Sequence, residues 1–465
     1  MFGTFYGISV AASALRAQQQ ALDILGHNVA NAGTPGYRRQ RAILSQSSPL
    51  TGAFASGTTG LSSVGTGVRV EQIQSVQDSF IDTRVRLAAG QSALWDARNQ
   101  TLRQVEALFN EPGEAGLEHE LDQFWSAWEQ LSTQPDSVPS RLALVEHSQR
   151  LSQSIRESCA HLERMRDDLD EAVAQKTERV NGITADIADL NAKIMLASSN
   201  NLTPNDLLDR RDLLVEELGA LTGAEASGRG GQEFVVTLAG KVLVQGVNAF
   251  PLGVRLAADG SQEIFCLADG EARVVSGGEI AGLQSARDES APRFRALLDE
   301  LAMTLAGEVN AIHRTGVTAD GAPAGDFFTP GTTAANLEVS AAILASPAAI
   351  ATSATGASGD NSVALAIAAL RSETVAGGQT INQQYRSLVS EVGTQTALAA
   401  HTAETQRLSL DQFRAQQQAI SGVSLDEEMA DMIRFQQAYN ATARVLTSFD
   451  QMLSTLIERT GLVGR

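Results

Sequence analysis

The sequence predicts a mainly α protein with an inserted β domain (α+β). Paired terminal helices form a coiled coil, a long helical rod domain follows, and a small antiparallel β domain is set near the middle. Three observations predict it. Both ends carry apolar residues at alternating spacings of three and four, the period of a helix packed along another helix. The same spacing runs unbroken through a longer central stretch, from Ser140 to about Asn200. Between residues 222 and 285 the pattern changes to short β-branched runs separated by Gly, Asp and Asn, which reads as antiparallel strands.

Bulk properties narrow the function classes. At 465 residues the chain has room for roughly two to four domains. Aromatics are only 5% of it, and with abundant Ala, Leu, Gln and Ser this favours helical layers over an aromatic-lined ligand pocket. The net charge of −19 argues against nucleic-acid binding, which needs a basic face, and against adhesion to anionic membranes. Arg38, Arg39 and Arg41 form a local exception, either a solvated basic patch or a contact with an acidic neighbour. Cys159 and Cys266 sit in helical and strand-like patterns and read as small buried hydrophobes. No apolar run reaches the roughly 18 residues of a membrane span, so no membrane insertion is expected.

In chain order, Ile8, Ala11, Leu15, Gln18, Leu22, Leu25 and Val29 make the first seam, with Gln18 its one polar member. Asn31, Gly33, Pro35 and Gly36 end that helix. The segment lacks the continuous apolar core and cleavage site of a secretory signal, so it reads as part of the mature protein. Residues 37–75 read as irregular or weakly β, with Val68, Val70 and Ile73 alternating. Gly65-Thr66-Gly67 lacks the third glycine and following helix of a phosphate loop. Helix is expected from about Gln77 to Asn110, with Phe80, Leu87, Leu94, Leu102, Val105 and Phe109 among its apolar positions and Glu111-Pro112-Gly113 as its stop. A shorter helix places Trp125 and Trp128 on one face as core residues.

The central seam runs Ile155, Cys159, Leu162, Arg166, Leu169, Val173, Lys176, Val180, Ile183, Ile187, Leu190, Ile194 and Ala197. Such a helix reaches roughly 90 Å at 1.5 Å per residue, the length of a beam rather than a pocket wall. Thr203 is expected to cap the next helix with Pro204 at its first position. In that helix Asp206, Asp209 and Asp212 share a face but have Arg210 and Arg211 beside them and no His, which reads as a salt-bridged surface rather than a metal site. The runs EFVVTL, KVLVQG, PLGVRL, EIFCLA and ARVVSG read as strands, Pro292–His313 as helix, and 316–356 as loop and short strand with a hairpin-type turn at Asp320-Gly321. From about Asn361 helix dominates, broken at Gly377-Gly378.

The last helix opens with Ser424 and Glu427, which match a capping box, and with Asp426, Glu427 and Glu428 at the positive end of its dipole. Leu425, Met429, Met432, Gln436, Tyr439, Ala443, Leu446, Asp450, Leu453 and Ile457 then alternate by four and three. A second stripe, Ile433, Val445, Phe449, Met452 and Leu456, lies beside them. A helix with two apolar faces must bury both: one against the first helix, the other against neighbouring molecules. Within the first pair, Gln18 is expected opposite Gln436 or Asp450. No cofactor is expected and the protein reads as no enzyme, because serine-elbow, Walker, zincin and EF-hand patterns are missing and the six histidines are scattered. Glu118-His119-Glu120 has no second His four residues on.

The ends carry a resemblance. Ala14-Leu15, Gln18, Leu22, Asn28-Val29-Ala30-Asn31 and Thr34-Pro35-Gly36-Tyr37 resemble the shared start of bacterial flagellar axial proteins of the rod, hook and hook-associated group. Arg38-Arg39-Gln40 is similar to the hook-associated members, as are Ser421-Gly422-Val423, Leu425-Asp426-Glu427-Glu428, Phe435-Gln436-Gln437-Ala438-Tyr439, ALFNEP at 107–112 and NDLLDRRD at 205–212. Hook-associated members often carry an additional outer domain, and residues 225–360 leave little room for it here.

The resemblance implies a structural adapter between flagellar hook and filament, assembled as a helical ring; a rod or hook subunit, or a flagellum-borne cell-wall hydrolase, is the alternative. It implies, as partners, further copies of itself, the hook protein, a second hook–filament junction protein and an export chaperone on the C-terminal region. The implied location is the extracellular flagellum, reached through the flagellar type III apparatus without a cleaved signal. The expected division is 1–36 with 421–465 as the coiled coil, 37–221 with 286–315 and 357–420 as the rod, and 222–285 as the β domain with 316–356 beside it. The expected assembly residues are Leu15, Gln18, Leu22, Leu25, Asn28, Asn31, Thr34, Gly36 and Tyr37 at one end. At the other end they are Leu425, Glu427, Glu428, Met432, Gln436, Tyr439, Leu446 and Leu453.

Overall fold

The computed structural model describes residues 4–48, 65–109, 113, 116–200, 202–228, 231–257, 261–375 and 378–459. Helix α1 (Thr4–Asn31) ends at a short turn, and a hairpin of β1 (Gln40–Gln46) and β2 (Val68–Ser75) follows, with Gln40 opposite Ser75. Strand β1 gave no clear signal in the sequence. Helices α2 (Ser79–Phe109), α3 (Leu117–Thr133) and the 62-residue α4 (Val138–Ser199) come next. The Ser137 side chain caps α4 by accepting from the Ser140 amide. The expected stop at Glu111-Pro112 lies outside the described residues.

The α4 seam runs as the spacing predicts, with Ile155, Cys159, Leu162, Val173, Val180, Ile183, Ile187 and Ile194 buried along it. Lys176 is spared the interior, because its ammonium reaches Glu279 at 2.9 Å. Helix α5 (Asn205–Thr222) begins one residue later than expected: Pro204 itself holds the capping position and Thr203 lies before it.

Strands β3 (Glu225–Ser227), β4 (Val235–Leu238), β5 (Lys241–Gln245) and β6 (Asn248–Ala249) form one antiparallel sheet in that order. Strands β7 (Leu252–Leu256) and β8 (Gln262–Cys266) pair separately. Two expectations fail here. The run ARVVSG is not a strand, since it has only an isolated bridge from Ala272 to Phe265. Residues 278–285, inside the expected β range, form helix α6 (Gly278–Ser285). A π turn (Ala286–Ser290) joins α6 to α7 (Ala291–His313), next to Pro292, which has no amide hydrogen to continue an α ladder.

After α7 come the Asp320-Gly321 turn, in which the Thr318 amide donates to Ala322 O at 2.8 Å, and the short α8 (Ala341–Ala345). Helices α9 (Ser362–Ala369), α10 (Ile381–Ser421) and α11 (Leu425–Arg459) complete the chain. Thr380 and Gln383 form a capping box at the start of α10.

Two large cores result. One gathers α3, the first half of α4, α7, α9 and α10 around Phe124, Trp125, Trp128, Phe327 and Phe328, with ring centroids such as Trp128–Phe327 5.1 Å apart. Trp125 also donates its indole hydrogen to Asn382 Oδ1 at 2.8 Å. The other packs the second half of α4 with α5, α6 and the sheets. Phe80 and Leu87, expected among the apolar positions of α2, are 62% and 51% exposed because α10 covers the neighbouring face of that helix. Helix α10 runs antiparallel to α2, with Gln417 bonded to Asp82 and Thr396 to the Leu102 carbonyl, and so returns the chain to where α1 ends.

Candidate functional site

At that return point, α1, α11, the hairpin, α5 and α10 meet. Helices α1 and α11 lie antiparallel: Asn28 touches Glu428 at one end, and Gly7 sits against Phe449 at the other. The α1 side of this contact carries small residues, with Gly7 against Phe449 and Ala11 buried one turn on. A Cβ added to Gly7 would lie 2.6 Å from the Phe449 ring. The helices can approach this closely only with such residues.

Asn28 closes the joint. Its Nδ2 donates to Gln40 O and to Glu428 Oε2, both at 2.9 Å. Its Oδ1 accepts from Gln40 N at 2.9 Å and from the Tyr37 hydroxyl at 2.8 Å. Every donor and acceptor of this fully buried amide is therefore used, two of them on one backbone unit of β1 as a neighbouring strand would use them. The Tyr37 proton is committed to Asn28, so His27 Nδ1, 3.0 Å from the same oxygen, is the donor in that contact. Burial, then the carboxylates of Asp206, Asp209 and Glu428, raises the Tyr37 phenol well above its usual range and keeps that proton in place.

Arg38 and Arg39 are consecutive on extended backbone and so point to opposite sides. Arg38 binds the middle of the molecule. Its amide donates to Asp209 Oδ2 at 3.1 Å, and its guanidinium reaches Asp212 at 2.7 Å, Asp82 at 3.1 Å and Gln77 at 2.7 Å. Arg39 binds the end helix, with Glu428 at 2.5 Å, Glu427 at 2.8 Å and Asp431 at 3.6 Å. Its amide donates to Ser421 O at 2.9 Å, which ties in the end of α10. Gln40 donates from Nε2 to Asp206 Oδ1 at 2.7 Å. Burial pushes the Asp209 carboxyl up to about 7, with Asp212 and Asp206 adding to the rise and Arg38 opposing it. Gly36 provides the turn into this segment at φ +77°, with Leu213 of α5 packed 3.2 Å from where its Cβ would be.

Electrostatically this is a clamp. Its charges face one another across elements, and among the described residues no group of His, Cys, Asp or Glu is placed to hold a metal ion.

Comparison with known proteins bears on what such a clamp serves. Residues 102–328 match the family described as Flagellar hook-associated protein FlgK helical domain. Residues 8–38 match Flagella basal body rod protein, and 415–459 match Flagellar basal body rod FlgEFG protein C-terminal. Flagellar hook-associated protein 1 of Bacillus subtilis (strain 168) is 30% identical over 510 residues, covering 100% of both chains. The chain belongs to the flagellar hook-associated protein 1 family. The Escherichia coli (strain K12) member is 27% identical, covering 97% of this chain and 99% of its own. A solved structure titled as the flagellar hook junction protein FlgK from Burkholderia pseudomallei shares the fold, with a TM-score of 0.66 at 15% identity, over 73% of this chain and 100% of that one.

Within this member of the family, the sequence-derived residues separate into two sets. Asn28, Tyr37, Gly36, Glu427 and Glu428 meet in the clamp, and Leu25 is buried beside it. Leu15, Leu22, Met432, Leu446 and Leu453 are half-buried along the helix pair, Asn31 is half-buried at the end of α1, and Thr34 is exposed in the turn after it. Leu425 is 52% exposed and Tyr439 37%, and Gln436 is exposed as well. They fall outside the pairing face, because the seam of α11 runs through Glu428, Met432, Phe435, Thr442, Leu446, Phe449 and Leu453. Met429 and Ile457, from the same expected seam, are also exposed.

The expected second stripe is likewise not one stripe. Phe449 belongs to the pairing seam, whereas Ile433, Val445, Met452 and Leu456 are exposed. Gln18 does not reach Gln436 or Asp450: its Oε1 is buried without a hydrogen-bond partner among the described residues, and both of those residues are exposed. Glu427 turns its carboxylate to Arg39. The role of Asp206, Asp209 and Asp212 as a mount for residues 38–40 was missed by sequence reasoning. The signal was their spacing by three on one helical face, together with an arginine pair lacking a neighbour.

Proposed function

We propose that this chain is a structural, non-enzymatic subunit that joins the flagellar hook to the filament, assembling through its paired end helices into a helical ring. The observation that carries the reading is the clamp: Asn28 and Arg39 strap two helices four hundred positions apart in sequence onto the base of a long helical beam. The relatives' name, and the Burkholderia title with its hook junction, support the same place in the flagellum. A rod or hook subunit is the weaker reading, since the rod-type matches cover only the two ends while the hook-associated helical domain covers the middle. For a wall hydrolase, the described residues offer no catalytic constellation or metal-holding group.

In this reading 1–36 with 421–465 is the inner coiled-coil unit, the helical regions form the rod shell, and the sheets of 222–285 lie outside. The hook protein and a second junction protein flank the ring. A chaperone holds the C-terminal region before export through the flagellar type III apparatus, with no signal removed. The test is a strain lacking the gene. It should carry intact hooks, no filaments, and flagellin lost to the medium, and a copy lacking residues 425–460 should not restore filaments. Filaments in either strain would refute the proposal.

A further inference from the structure

Helix α11 carries two different surfaces on its two free sides. On one side an open groove of about 740 Å³ runs between β1 and α11, with α1 as its floor. Ala21, Ile24 and Leu25 line the floor, Ile43 and Phe435 the walls, and Arg41 stands on the rim. On the other side Leu425, Met429 and Ile433 are 52%, 57% and 55% exposed, at the i, i+4, i+8 spacing by which a helix seats in a groove. At 3.6 residues per turn this stripe lies about 160° around the helix from the groove wall. The two surfaces therefore cannot meet within one molecule.

We propose that the groove receives the Leu425–Met429–Ile433 stripe of a second copy of this chain, and so is the contact that propagates the ring; this rests on the assembly reading above. Three observations select that occupant. The stripe runs over nine residues, roughly 12 Å for the eight steps at 1.5 Å each, and the α11 wall of the groove, Glu427 to Phe435, spans the same length. The rim charge is complementary: Arg41 and Asp426 are both exposed and neither has an ion pair among the described residues, while the acidic wall residues Glu427 and Asp431 are already paired with Arg39. Groove and stripe lie on opposite sides of one helix, so the contact is head-to-tail, leaves a free groove at one end and a free stripe at the other, and builds a ring or helix rather than a closed dimer.

The test uses cysteine pairs in flagella detached from cells whose only copy is the variant. The native Cys159 and Cys266 are buried and do not compete. The double variant Ile43→Cys with Met429→Cys, oxidised and run without reductant, should give a ladder of dimers, trimers and longer species, while each single variant stays monomeric. Leu44→Cys with Ile433→Cys should repeat the ladder and guards against a defect peculiar to the first pair. Protein present in the flagella without a ladder from either pair would overturn the proposal. So would dimers from Met429→Cys alone, which would mean a symmetric contact. Absence of the wild-type protein from the flagella would instead refute the junction reading, and this contact with it.

Discussion

The helical middle and the helix pair at the ends solve the same packing problem with opposite materials. In the middle, Trp125, Trp128, Phe124, Phe327 and Phe328 are all fully buried, and helices close around them from several sides. In the end pair the contact is made by Gly7 and Ala11 on one helix and by half-buried residues on the other. The one fully buried side chain of α11 is Glu428, a carboxylate held by Arg39 and Asn28. The middle is complete as a monomer. The pair is positioned by polar bonds and leaves Leu425, Met429 and Ile433 exposed.

The comparison can be broken at the middle first, where the effect should be largest. Trp128→Ala should cost about 3–5 kcal/mol, as for a large aromatic removed from a packed core, and should lower the cooperative melt of the whole middle in urea or heat. Arg39→Ala should cost about 3–5 kcal/mol locally, because it strips the cation from a buried carboxylate. That loss should appear as faster amide exchange in α1 and α11, with α3 and α7 unchanged; equal loosening of the middle would show that the two regions are not separable.

The pH dependence is smaller and comes from Asp209. Its folded value of about 7 lies above its ordinary 3.8, so the stability it contributes is fully present below pH 4 and is lost as pH rises through 7. Protection of Arg38, Arg39 and Gln40, which are bonded to α5 and to the end helix, should therefore fall between about pH 4 and pH 7. Asp209→Asn keeps an acceptor for the Arg38 amide and should flatten that slope; an unchanged slope would remove Asp209 as its source. Smallest of all, Met429→Gln should change monomer stability by no more than about 0.5 kcal/mol, because its side chain is exposed on the surface of α11. The same change should weaken incorporation into flagella.

How much could be read from the sequence follows the same division. The α4 seam was legible residue by residue, because a helix buried on one face shows one phase of its period. On α11 the period was legible but the phase was not. Apolar residues occur on three sides of that helix, and a count started at Leu425 meets the pairing seam at Met432, Leu446 and Leu453 but also takes in Met429, Gln436, Tyr439 and Ile457, which are exposed. The information that fixes the phase lies on the partner: Gly7 of α1 leaves room for a large residue opposite, and Phe449 is that residue. ARVVSG failed for a related reason, since β-branched residues describe a strand only if a second strand is there to pair with it. The clamp was half legible. Arg38-Arg39 reads either as a solvated patch or as a contact with an acidic neighbour, and nothing local says that one arginine takes its acids from α5 and the other from α11.

The most direct test of the central claim is amide exchange on the full chain, first as a dilute monomer and then in the assembled flagellum. The account predicts that in the monomer α3, α4 and α7 exchange at the rate of global unfolding while α1 and α11 exchange far faster, and that the end helices gain protection on assembly. End helices as protected in the dilute monomer as the aromatic core would contradict it.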